Sequence, residues 1–87
     1  MRYEVLVEVR LRPGIADPQG ATIERALPVL GLDGVTAVRA GKSFRFDLSA
    51  ADDADALARA TVVADRLLAN PVIEESVVTV RPAAAPA

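Results

Sequence analysis

The chain has 87 residues, ten Lys and Arg against twelve Asp and Glu, a net charge of −2, and neither Cys nor His. That composition excludes disulfides, thiolate and imidazole metal sites, and the Cys nucleophile or His base on which most acyl transfer depends. The near-balanced charge, with one Tyr, two Phe and no Trp, also lacks the positive surface and stacking platforms that nucleic acid requires.

Tyr3, Val5, Val7, Val9 and Leu11 alternate with Arg2, Glu4, Glu8, Arg10 and Arg12, Leu6 being the exception. This predicts a strand over residues 3–11 with one buried face, ended by Pro13-Gly14. The alternation is unlike a secretory signal, and no stretch approaches the ~20 apolar residues of a membrane helix, so a cytoplasmic location and no membrane contact are expected. Asp17-Pro18 then suits a helix start, the carboxylate capping free amides and Pro taking the first helical position. Ile23, Ala26, Leu27 and Leu30 share a face of that helix, Gly31 stops it, and Pro28 should kink or break its last turn.

Two short extended runs are expected next, Val35 to Ala40 and Ser43 to Leu48, divided by a tight hairpin or bulge at Gly41-Lys42. Phe44, Phe46 and Leu48 face the core. Ser49 to Asp53 supplies caps and early negative charge for a second helix over residues 54–69, with Leu57, Thr61, Ala64 and Leu68 in register. Asn70-Pro71 stops that helix, because the residue before Pro is pushed out of the helical region. A last strand covers Val72 to Val80. The terminal PAAAPA, residues 82–87, has too little to bury and reads as a disordered tail, leaving residues 1–81 as one domain.

The order βαββαβ predicts an α+β, ferredoxin-like sandwich: a four-stranded antiparallel sheet with two helices on one face. A chain this short hides only about 60 to 65 % of its unfolded surface, so it gains from a partner. The uncovered sheet face carries Glu4, Glu8, Arg10, Arg45 and Asp47 and resists burial whole against another sheet. Val77, Val78 and Val80 place apolar groups on both faces of the last strand, which points to a neighbouring chain covering it.

Reactive chemistry is sparse. Gly41-Lys42 lacks the preceding glycine and the following helix of a phosphate loop. Asp52-Asp53 and Glu74-Glu75 place adjacent carboxylates in diverging directions, so a cap and a solvated edge read better than a Mg²⁺ site. No catalytic, cofactor-binding or metal-ligating residue is assigned. Arg39, Lys42 and Arg45 form a basic cluster that could meet an acidic patch or a phosphate, or could be an ordinary solvated turn.

Four segments, LRPGIADPQG, ALPVLG, VRAGKSFRFDL and RLLANPVIE, taken in this order over positions 11 to 74, resemble the PurS family, the small subunit of phosphoribosylformylglycinamidine (FGAM) synthase. Pro28 and the Ala-Pro tail depart from the family pattern. The resemblance implies a non-catalytic assembly subunit in purine biosynthesis. It would join a large synthetase subunit to a glutaminase subunit and aid ammonia transfer in the ATP- and glutamine-dependent conversion of formylglycinamide ribonucleotide to FGAM. It further implies a homodimer or tetramer, with ATP and Mg on the synthetase and no cofactor in this chain. Arg39, Gly41, Lys42, Arg45, Asn70 and Pro71 become the expected partner-interface residues. Two other readings stand beside it. An ACT-like domain sensing a small molecule shares the element order, and a self-contained enzyme on a ferredoxin-like scaffold is disfavoured by the lack of His and Cys.

Overall fold

The computed structural model describes residues 1–83. Strand β1 (Arg2–Leu11) is followed by helix α1 (Pro18–Ala26), strand β2 (Gly41–Ser49), helix α2 (Asp53–Val63) and strand β3 (Glu74–Pro82). The three strands form one antiparallel sheet in the order β2-β1-β3, with Val7 opposite Phe44 on one side and Val78 on the other.

The period-two pattern of β1 makes it the centre of the core. Tyr3, Val5, Val7 and Val9 are all at most 2 % exposed, and Phe44, Phe46, Leu48, Val78 and Val80 pack beside them on the same face. Helix α2 covers this face with Ala56 and Ala60, and the turn that continues it with Ala64, all fully buried. A methyl group at every fourth position lets the helix backbone approach the sheet closely. Asp52 caps α2 by accepting the Asp55 amide at 2.8 Å, and Tyr3 ties β1 to the same end by donating to Asp53 Oδ1 at 2.9 Å. Burial first, and the Asp53 carboxylate second, push the Tyr3 hydroxyl pKa up. Below Val63 the helix widens into a π turn, Ala64–Leu68, closed by the Ala69 amide donating to Ala64 O at 2.9 Å.

Helix α1 adds no side chain to either core cluster, and only Gly20 of it is buried. It lies along the segment leading into β2. Asp17 accepts the amides of Gly20 and Ala40, and Glu24 accepts that of Val38 at 2.9 Å. Pro28 ends the helix as expected and opens a separate 3-10 turn, Pro28–Leu30, stopped by Gly31 at φ 78°.

The α+β class and the two helices stand, with three strands among the described residues in place of four. Val35 to Ala40 is not a strand. Ala37 sits at φ 57°, which turns the chain out of the extended path, and the amides of Val38 and Ala40 bond to carboxylates of Glu24 and Asp17 instead of a neighbouring strand. Gly41-Lys42 is accordingly not a hairpin: the two residues open β2, opposite Arg10 and Val9. Val72 and Ile73 belong to a turn, so β3 starts at Glu74 and runs to Pro82, opposite Tyr3. The remainder of the expected tail, residues 84–87, lies outside the described residues. The open face carries the expected charges, neutralised in part across strands by Arg2 with Asp47 at 3.6 Å and Arg81 with Glu4 at 2.7 Å.

Candidate functional site

Five of the six expected interface residues converge at one end of the sheet, where β1 finishes and β2 and β3 begin. Asn70 shapes the turn into β3. Its side-chain oxygen accepts the Val72 amide at 3.2 Å and its carbonyl accepts the amides of Ile73 and Glu74. Arg12 clamps this turn to β1, its Nε donating to Pro71 O at 3.1 Å and its amide to Ile73 O at 2.8 Å.

Glu74 links the turn to β2. One carboxylate oxygen accepts the Asn70 amide at 2.7 Å, and the other lies 3.8 Å from Lys42 Nζ. Lys42 also sits over the Phe44 ring, 5.9 Å from its centroid. Gly41 lets the start of β2 lie close against β1, because a Cβ there would lie 2.8 Å from Val9 O. Arg39 completes the group, with Nε 4.0 Å from Asp17 Oδ2 and a guanidinium nitrogen donating to Ile15 O at 3.1 Å. The Gly20 and Ala40 amides, and then Arg39, hold the Asp17 carboxyl below the usual carboxylate range. Arg45 does not join them. It projects from the opposite, open face, level with Leu6, because residues 42 and 45 differ by an odd number along a strand.

Sequence reasoning missed Glu74 and Arg12 as site residues. The signal for Glu74 was its spacing four residues after Asn70, which lets it reach back to the turn amide; its partner Lys42 is distant in sequence and only the fold reveals it. Glu74 and Glu75 point to opposite sheet faces, and among the described residues no group of three His, Cys, Asp or Glu could hold a metal ion.

Chemically, this end of the sheet offers cations with buried or half-buried counter-ions. The side chains of Arg39 and Lys42 are about half exposed, whereas Asp17 and Glu74 are 6 % and 16 % exposed. Arg39 and Lys42 line an open groove of about 390 Å³ with Glu8, Arg10 and Ser43. Exposed apolar residues lie on the neighbouring chain segments. Leu67 and Val72 beside the Asn70-Pro71 turn, and Val29 and Leu30 after α1, are each at least 71 % exposed. The arrangement suits docking to another protein.

A family model described as PurS, phosphoribosylformylglycinamidine (FGAM) synthase, matches residues 4–82. The chain belongs to the PurS family. It is 43 % identical over 72 residues, 83 % of its own length and 72 % of the relative's, to the PurS subunit of phosphoribosylformylglycinamidine synthase from Synechocystis. The structure of Thermus thermophilus PurS superposes with a TM-score of 0.85 at 33 % identity, covering 97 % of this chain and 100 % of that one. A chain in the structure of PurLQS from Thermotoga maritima matches equally well, with a TM-score of 0.85 at 31 % identity over 93 % of this chain and 99 % of that one. PurS chains are subunits of FGAM synthase, an ATP-dependent amidoligase of purine biosynthesis, and the α+β sandwich is therefore a family architecture.

Proposed function

We propose that this chain is the non-catalytic assembly subunit of FGAM synthase, joining a large synthetase subunit to a glutaminase subunit and to further copies of itself as a homodimer or tetramer. In this reading ATP and Mg bind on the synthetase, ammonia released at the glutaminase is passed on within the sealed assembly, and the complex works in the cytoplasm. No helix among the described residues is long and apolar enough to cross a membrane.

The observation that carries the reading is the apolar surface around α1 and its following turn. Ile23, Val29, Leu30, Leu32 and Val35 all remain exposed on a chain with no Cys or His. Contiguous exposed apolar groups mark protein contacts. The likeness to a chain of the Thermotoga PurLQS structure supports a multi-subunit setting. Containing ammonia has a physical purpose, because in open water it would be protonated and diluted before reaching the second site.

Co-elution tests the reading. The synthetase and glutaminase chains from the same source, mixed with this protein, glutamine and nucleotide, should run as one species containing all three. Separate elution under every condition would remove the assembly role. A Tm that rises with amino-acid concentration for the isolated chain would instead favour the ligand-sensing alternative.

A further inference from the structure

The outer edge of β2 is a row of free backbone groups. Met1 and Ala50 exchange two hydrogen bonds, Ala50 N–H donating to Met1 O at 2.9 Å and the Met1 amino group to Ala50 O at 3.0 Å. Counting along the register from that pair, the even-numbered residues of β2 turn their amides and carbonyls toward β1. Ser43, Arg45 and Asp47 turn theirs away from the sheet, where no strand lies among the described residues. Residues 35–40, which would take the fourth place in a ferredoxin-like sheet, are held elsewhere, with the Val38 and Ala40 amides bonded to Glu24 and Asp17.

We propose that this edge accepts an extended segment of a different subunit as a fourth strand, apolar on the side of α2 and acidic where it passes Arg45. The proposal rests on the assembly reading above and names the surface and the chemistry of one contact. Natural proteins blunt long exposed edges with Pro, a bulge or a short strand. Strand β2 uses none of these devices. It runs for 9 residues, Gly41–Ser49, without Pro, and in unbroken register with β1.

Side chains specify the occupant. On the α2 side, Phe44, Phe46 and Leu48 stay half-exposed, although Val5, Val7 and Val9 beside them are at most 2 % exposed. Helix α1 adds no side chain to either core cluster, so the outer flank of these three residues is left open. An added strand with apolar residues opposite them closes it. On the open side, Arg45 makes no ion pair among the described residues. Its neighbour Asp47 is engaged by Arg2 at 3.6 Å, and Leu6 stands opposite it on β1. A carboxylate on the added strand, facing Arg45, supplies the missing counter-charge. The required pattern is apolar, acidic, apolar, in either strand direction.

A second copy of β2 does not fit that description. The midpoint of the strand is Arg45, so a two-fold axis there opposes two guanidinium groups. An axis at Asp47 opposes two carboxylates, and one at Ser43 pairs only the stretch from Gly41 to Arg45. In strand addition the main chain supplies affinity and alternate side chains supply selectivity. Arg45, which stands apart from the other five expected interface residues, thereby gains a contact of its own.

Hydrogen exchange read at single amides tests the pairing on the full chain, alone and mixed with the synthetase and glutaminase chains. The Phe44 and Phe46 amides, bonded to β1, should be protected in both states. Those of Ser43, Arg45 and Asp47 should exchange quickly in the isolated chain and at least about tenfold more slowly in the complex. Ser43→Pro removes one outward N–H and no bond of the β1 ladder. It should keep the circular dichroism spectrum and weaken binding to the other subunits roughly tenfold, whereas Ser43→Ala should leave binding within about twofold. Arg45→Glu should weaken it roughly tenfold. Should Ser43→Pro fail to fold, exchange at the three amides of the unmodified protein decides alone. Co-elution of all three chains without new protection at those amides overturns the pairing and leaves the assembly reading standing. Separate elution of the chains overturns both. Protection that appears in the isolated chain and grows with its concentration assigns the edge to a second copy and overturns the proposal.

Discussion

Asp17 accepts two backbone amides that lie 20 residues apart, those of Gly20 at 2.9 Å and Ala40 at 2.7 Å. It therefore caps α1 and fixes the strap before β2 at once. Asp17→Asn keeps the shape but loses charge-assisted acceptance, and should lower Tm by roughly 5 °C, measured by circular dichroism. The pH dependence follows from the depressed carboxyl pKa. Stability from this group is present above the unfolded value of about 3.9 and is lost as pH falls through the lower folded value. The acid side of a Tm-against-pH curve should be less steep for Asp17→Asn than for the unmodified protein. Gly20 inverts an ordinary expectation. Ala normally favours a helix over Gly by up to about 1 kcal/mol, but a Cβ at Gly20 would lie 2.4 Å from Val38 O and 2.6 Å from Asp17 Oδ2. Gly20→Ala should therefore lower Tm, and a rise would show that α1 is not held against the strap in this way.

At the scale of elements, α2 and the π turn that continues it approach the sheet through Ala56, Ala60 and Ala64, all inaccessible to water. Ala60→Leu would force extra volume between helix and strands and should cost about 1 to 3 kcal/mol in denaturant unfolding. The period of two in β1 was legible in the sequence because it records burial on one face of a strand, whereas α2 was legible as a helix but not in its face: Leu57 and Thr61, expected in register, are exposed, and Ala56 and Ala60 are buried in their place. The Asp17-Pro18 start, the Pro28 interruption and the Asn70-Pro71 stop were legible for a local reason, since each acts on its own backbone. Val35 to Ala40 misled because its apolar residues resemble a strand, while its real partners, Asp17 and Glu24, are carboxylates 14 or more residues earlier in the chain. The clustering of five of the six candidate residues at one end of the sheet was legible as a group of turn residues. Its division was not: Arg45 left the group because β2 starts at Gly41 and fixes which face residue 45 takes, and Glu74 entered it only through a contact across β1.

The whole molecule is extended for its size. Its radius of gyration is 16.9 Å, against about 12 Å for a compact chain of this length. Helix α1 leaves its apolar side chains outside the core, so association should supply part of the stability, and Tm should rise with protein concentration. Val29 and Leu30 are 86 % and 71 % exposed. Replacing both with Asp should leave the isolated fold within about 0.5 kcal/mol per site yet weaken assembly with the other subunits. The most direct test of the assembly role is FGAM formation by the synthetase and glutaminase chains, driven in turn by glutamine and by free ammonia, with and without this protein. An assembly subunit should make the glutamine-driven reaction depend on its addition, while the ammonia-driven reaction depends on it far less. A glutamine-driven rate that is already complete in its absence would contradict that role.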